Sequence, residues 1–197
     1  MPAPYGLVRV QGPEAREYLQ RICAQDVLGM APGEARPAAF LNAKGRLLHT
    51  CWVAVLGDTV WLSVPDPDSA ALAAMLEQFH FTERLEIARI EGLGCFEHWS
   101  SAPLGDATVV EVGDGVRLSF PWHGVWRDRW HVALDRVDAL AADAEPLSAA
   151  EAACLRIATA EPWVGVEVEP GGTLALELPI ADHISTTKGC YTGQEIV

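Results

Sequence analysis

The stretch Lys188-Gly189-Cys190-Tyr191-Thr192-Gly193-Gln194-Glu195-Ile196-Val197 decides how the rest of the chain is read. It gathers a cation, a thiol, a phenol, two glycines, an amide and a carboxylate. Thr192-Gly193-Gln194-Glu195 has the Ser/Thr-x-x-Glu spacing of a capping box, in which hydroxyl and carboxylate each satisfy an orphan amide at a helix start. The spacing predicts a helix from about Gly193, with Cys190 just outside its N-terminus and Lys188 two residues away. Helix dipole and ammonium would both favour thiolate over thiol. Gly189 and Gly193 permit positive φ or the close approach of a ligand. A single cysteine is ordinarily a small buried hydrophobe beside its neighbours; the density of functional groups here weighs against that reading.

Working outward, the chain has 197 residues, 50% of them hydrophobic and 21% charged, a globular profile able to bury one large core or two small ones. Its formal charge of −13 argues against direct contact with nucleic acid, which needs clustered Lys and Arg. No basic start leads into an apolar run, and no apolar stretch is long enough for a membrane span, so a cytoplasmic protein without membrane contact is expected. Cys23, Cys51, Cys95, Cys154 and Cys190 are scattered and odd in number, which fits free thiols in a reducing compartment. Cys95 with His98 is too small a set for a metal, and no metal site or resident iron–sulfur cluster is expected.

Leu7 to Val10 reads as a strand, and Gly12-Pro13-Glu14 opens a helix whose buried face is Ala15, Tyr18, Leu19 and Ile22. Ala38–Leu41 and Leu47–Leu56 read as strands joined through Asn42-Ala43-Lys44-Gly45-Arg46, with a third strand at Thr59–Val64. Pro65-Asp66-Pro67-Asp68-Ser69 leads into a helix marked by Leu72, Met75, Leu76 and Phe79. A strand follows at Leu85–Ile90, interrupted by Gly92-Leu93-Gly94. Ser100 to Gly105 is the linker candidate, dividing the chain into subdomains 1–100 and 101–197. Beyond it, Ala107–Val112 and Val116–Phe120 form a hairpin, and Trp130–Leu134 another strand. Trp122, Trp126 and Trp130, with Pro121 and Gly124 among them, read as a loop or strand end packing on the core rather than as a stacking platform. Ser148-Ala149-Ala150-Glu151 is a second capping box, opening a helix that Glu161-Pro162 stops. Trp163 to Ile180 reads as a strand or extended loop. The order of elements predicts an α+β fold with largely antiparallel sheets.

The string Lys188-Gly189-Cys190-Tyr191-x-Gly193-Gln194-Glu195 resembles the signature of the YgfZ family, folate-binding proteins of the aminomethyltransferase (GcvT) superfamily linked to iron–sulfur enzyme maturation and tRNA modification. Val10–Val27, the Phe40–Leu48 hairpin and Leu155-Arg156-Ile157 are similar to further segments of that family. The resemblance implies a GcvT-like fold around a tetrahydrofolate, with iron–sulfur enzymes or assembly proteins as partners. It makes Cys190 the functional thiol and Lys188 its activator. Tyr191, Gln194 and Glu195 would shape the loop. Asn42, Arg46, Arg156 and Glu167 are the candidates for holding the folate.

The sequence departs from the family at three places. Where aminomethyltransferases carry an aspartate after the glycine turn, this chain reads Leu48-His49-Thr50, which argues against their activity; His49 is expected on the polar face of a strand. The glutamate expected to bond the pterin is replaced by Ala158, with Glu161 or Glu167 as candidate substitutes. Family members continue past the signature into a small β-barrel, which is expected to be absent. The expected function is that of a tetrahydrofolate-binding accessory protein for iron–sulfur cluster assembly or repair. The alternatives are an aminomethyltransferase and a ligand-free interaction module on the same scaffold.

Overall fold

The structure is a computed structural model that describes residues 4–66, 68–105, 108–142 and 144–197. Pro67 and Ala107, which the sequence reading placed in a helix cap and a strand, lie outside the described residues. The fold is α+β: nine strands form two antiparallel sheets among the described residues. The first sheet has the order β2-β3-β4-β1-β5, from β1 (Tyr5–Gln11), β2 (Ala35–Leu41), β3 (Leu47–Leu56), β4 (Thr59–Pro65) and β5 (Glu86–Ile90). The second has the order β6-β9-β8-β7, from β6 (Leu93–Ser100), β7 (Val109–Val112), β8 (Gly115–Trp122) and β9 (Val125–Ala133). The helices are α1 (Ala15–Ile22), α2 (Asp68–Gln78), α3 (Leu134–Ala141) and α4 (Ala149–Ala158).

Alternation along the strands separates two cores. Val8, Val10, Val53, Val55 and Leu62 turn to one face of the first sheet, where Tyr18 and Leu19 of α1 and Leu72 and Leu76 of α2 cover them. Leu7, Trp52, Ala54 and Trp61 turn to the other face and meet Val116, Leu118, Phe120 and Trp122 of the second sheet. Trp52 stacks on Phe120 with ring centroids 3.6 Å apart. A third cluster forms where the chain after α4 returns: Val164, Val168, Ala175 and Ile180 pack on Ala24, Ala39, Leu41 and Leu47.

The architecture differs from the sequence expectations at four places. The strands switch sheets at Gly92 (φ +77), and the Ser/Pro/Gly stretch 100–105 is a connection within the second sheet, so it marks no division between the sheets. The segment after α4 packs back on the first sheet, so 101–197 is not a separate body of packing. The three tryptophans lie on a β8–β9 hairpin closed by His123 (φ 46) and Gly124 (φ 87), a two-residue turn whose positive φ values suit the twist of the strands. Trp122 is buried in the inner face, and Trp126 and Trp130 half-buried on the outer. Between Trp163 and Ile180 there is no strand; a Val164–Val168 bridge closes a tight loop, and a short 3-10 turn, Ala175–Glu177, follows.

Candidate functional site

The site is built on the β2–β3 hairpin. The Asn42 side chain closes its own turn, Oδ1 accepting from the amides of Lys44 at 2.9 Å and Arg46 at 3.1 Å. Gly45 there has φ +66. The stretch 171–175 lies alongside: Leu47 donates to the Thr173 carbonyl at 3.0 Å, and Gly171 to that of Leu47 at 2.7 Å. The Arg46 guanidinium donates to the Gly172 carbonyl. Of two expected folate contacts, Asn42 therefore closes the hairpin itself and Arg46 ties it to the stretch 171–175.

The signature folds over this hairpin as a run of turns, not as a helix. Gln194, Ile196 and Val197 each donate to the carbonyl three residues earlier, at 3.2 to 3.3 Å. The reason is Gly193, whose φ of +86 is outside the right-handed helical region. It is pressed on the hairpin so closely that a Cβ would lie 2.5 Å from the Asn42 carbonyl, and a Cβ on Gly45 would lie 2.8 Å from Ile196. The two glycines permit the two turns to touch. Gln194 Oε1 accepts from the Tyr191 amide at 3.3 Å, and Glu195 is exposed. Burial raises the pKa of the half-buried Tyr191 phenol.

Lys188 anchors the other side of the loop. Its ammonium donates to the carbonyls of Gln20 and Cys23 at 2.6 Å and of Gln25 at 3.0 Å. Gln20 and Cys23 lie at the C-terminal end of α1, where helical carbonyls lack partners and a cation is favoured. All three donors are thus engaged with the end of α1, and the expected role of activating Cys190 is not what this geometry gives them. Burial lowers the Lys188 pKa. Cys190 itself is exposed, between the anchor at Lys188 and the contact at Gly193. Cys23, Cys51 and Cys95 are buried, and burial pushes the Cys23 thiol up to about 11. Cys154 is the other exposed thiol, on α4.

The remaining expected residues form a second cluster. Arg156 pairs with Glu167, donates to the Glu161 carbonyl at 3.0 Å and lies 4.5 Å over the Trp163 ring. Glu167 also accepts from the Trp163 amide at 3.0 Å. Together they brace the turn after α4. His49 is not on a polar face: it is buried, with Nδ1 2.8 Å from Asp68 Oδ2.

Sequence reasoning missed a buried charge network between the sheets. Arg127 and Arg129, both 0% exposed, share Glu97 and Glu161. Tyr5 donates to Glu161 at 3.3 Å, and Arg129 to Ser63 Oγ at 3.1 Å; Ser63 meets His131 Nε2 at 2.8 Å. Arg129 Nη2 lies 2.8 Å from Glu97 Oε1 but off the hydrogen-bond angle, so that contact is Coulombic. Burial alone would raise the Glu97 pKa; Arg127 and Arg129 outweigh it and hold the carboxyl at about 2. The signal in the sequence is a period-two pattern of basic residues, Arg127, Arg129, His131, in a strand whose other residues, Asp128 apart, are apolar. Its meaning rests on β6 pairing Glu97 opposite Arg129. Beside Glu161 is a hole of about 10 Å³, bounded by Tyr5, Thr50, Ser63 and His183, room for about one water. His183 Nδ1 is buried there without a partner.

Among the described residues no group of three or more His, Cys, Asp or Glu is placed to hold a metal ion, and no helix is long and apolar enough to cross a membrane. No family model matches the chain. Over 214 residues it is 25% identical to "tRNA-modifying protein YgfZ" of Edwardsiella ictaluri, covering 96% of this chain and 62% of that protein. Over 223 residues it is 23% identical to "Iron-sulfur cluster assembly factor IBA57 homolog, mitochondrial" of Cryptococcus neoformans, covering 96% of this chain and 59% of that protein. The chain thus spans 62% and 59% of the length of these curated relatives. Its backbone resembles the glycine cleavage aminomethyltransferase T of Bartonella henselae with a TM-score of 0.59 at 16% identity, over 71% of this chain and 43% of that one, a likeness of fold alone. In sequence the chain is similar to the YgfZ and IBA57 proteins, and in fold to an aminomethyltransferase, as the signature at 188–195 implies.

Proposed function

We propose that this chain is an accessory protein of iron–sulfur cluster assembly or repair that presents the Cys190 thiol to an iron–sulfur enzyme or assembly protein. The observation that carries the reading is the placement of that thiol. It is exposed, on a loop tied at one end by the three bonds of Lys188 and at the other by the contact of Gly193 with the hairpin. A sulfur held in this way is open to a partner's metal or disulfide without a change of fold. The names of the relatives, one an iron–sulfur cluster assembly factor and one a tRNA-modifying protein, support the same role. With a formal charge of −13, a link to tRNA runs through the modifying enzymes rather than through direct contact with RNA.

Tetrahydrofolate, the cofactor that the signature's family implies, does not fit the space beside Glu161 as it stands. A pterin's amino edge calls for a carboxylate acceptor. Glu161 is engaged by Arg127, Arg129 and Tyr5, Glu167 by Arg156, and the hole beside Glu161 is only about 10 Å³. Calorimetric titration of this chain with tetrahydrofolate is expected to give flat heats. An aminomethyltransferase is less well supported. Leu48-His49-Thr50 supplies no carboxylate after the hairpin, and Asp68, which does reach His49, has a side chain only 10% exposed.

The test is Cys190→Ala in a strain lacking its own relative of this protein. The variant is expected to keep the parent circular dichroism and Tm while losing rescue of iron–sulfur enzyme activity. Undiminished rescue would remove the thiol from the mechanism.

A further inference from the structure

β6 is an edge strand: it pairs with β9 on one side and, among the described residues, with no strand on the other. α3 packs on its start, where Gly94 brings Leu134 and Val137 so close that a Cβ would lie 2.8 Å from each, and Val137, Asp138 and Ala141 of α3 border the space beyond. Beyond Gly94 the strand opens on a cleft of about 790 Å³ whose far wall is α4. Phe96, Glu97, His98 and Trp99 all line it. Successive side chains of a strand point to opposite faces, so four in a row border one space only when the backbone edge itself faces that space.

The opposite wall is small and apolar, with Ala149, Ala152 and Leu155 of α4 turned to the cleft. The cations that line the cleft are already engaged, Arg127 of β9 with Glu97 and Glu161, Arg156 of α4 with Glu167. Asp138, Glu145 and Glu151 are exposed carboxylates on its border. An uncovered strand edge is a template for another strand. A groove between such an edge and a helix takes an extended peptide, with main-chain bonds giving affinity and pockets for alternate side chains giving specificity.

We propose that the cleft between β6 and α4 binds an extended peptide segment of a partner protein, added as a strand to β6, with apolar residues at alternate positions and a Lys or Arg flanking them. The apolar walls select the alternate residues, and the three carboxylates select the flanking cation. A strand along 96–99 runs about 13 Å at ~3.3 Å per residue, and the cleft volume lies within the usual range for ligand sites. The carboxylates also decide against a second copy of this chain, because edge-to-edge pairing of two β6 strands would bring like charges together.

The probe is the acetylated, amidated peptide Lys-Val-Thr-Val-Thr-Val-Lys. Two controls accompany it: the same peptide with Glu at both ends, and the same peptide with alternate backbone amides methylated. Nuclear magnetic resonance titration is expected to shift the amide signals of residues 96–99 and to slow exchange of the outward amides about ten-fold. The Glu-flanked peptide is expected to bind about ten-fold more weakly, and the methylated one to leave exchange at 96–99 unchanged. Ala152→Arg, at an exposed position on the α4 wall, is expected to abolish binding with Tm retained. Absence of shifts at 96–99 with millimolar Lys-flanked peptide would overturn the proposal. So would equal binding by Ala152→Arg, or a dimer in sedimentation that Ala152→Arg dissociates.

Discussion

Gly193 shows how one residue fixes the shape of the candidate site. Its positive φ and its approach to the Asn42 carbonyl leave no room for a side chain. Gly193→Ala is expected to cost about 1–3 kcal/mol, read as a lower Tm, and to loosen the loop so that Cys190 reacts faster with a thiol reagent. An unchanged alkylation rate would show that the thiol does not depend on that contact. The same residue shows a limit of sequence reading. The threonine-to-glutamate spacing at 192–195 is a local signal for a helix start, and it was legible. What overrides it is a hairpin distant in sequence, against which the glycine is pressed. Lys188 gives the complementary case: its charge and position are visible in the string, but its partners are carbonyls at the end of α1, which no spacing around it could identify.

Among elements, those decided by local chemistry were legible. The β2–β3 hairpin follows from Asn42 and Gly45, and α4 begins with the expected capping box, Ser148 Oγ accepting from the Glu151 amide at 3.2 Å. The β8–β9 hairpin was not legible, since Pro121 and Gly124 resemble loop residues. Among the described residues the β7–β8 pairing reaches from the hairpin to Val109 and Leu118, three residues short of Pro121. The charged stretch of β9 was equally opaque, because Arg127 and Arg129 gain their partners only through the register with β6 and the crossing of the first sheet. Removing one member of such a network leaves a buried charge without compensation. Arg129→Leu is expected to destabilise by about 3–5 kcal/mol in urea denaturation. A loss below about 1 kcal/mol would mean that the pair contributes no more than an exposed one.

For the whole molecule, the groups buried between the sheets make stability depend on pH. Burial, with Arg129 adding to it, lowers the His131 pKa to about 3, and burial lowers that of His183 to about 4. An unfolded histidine takes up its proton near 6.5, so the folded state binds fewer protons between that value and its own pKa. The contribution is complete above about pH 6.5 and is lost as pH falls toward 4 and 3. At pH 5 the loss is on the order of 2 kcal/mol per histidine. Glu97, held at about 2, acts at lower pH: its contribution is present above the ordinary carboxylate range and is lost as pH falls through about 2. Urea midpoints at pH 7, 6 and 5 should therefore decline, with His131→Gln removing about half of the slope. A flat profile in the parent protein would contradict the burial of both rings.

The reach of Lys188 back to α1 has a bearing on biosynthesis. A ribosome delivers the helix long before the lysine that satisfies its terminal carbonyls, and the glycine that seats on the β2–β3 turn arrives later still. Nascent chains halted short of that lysine should carry a frayed first helix, and the Cys190 sulfur, emerging between these two fasteners, settles into its exposed place only as they engage.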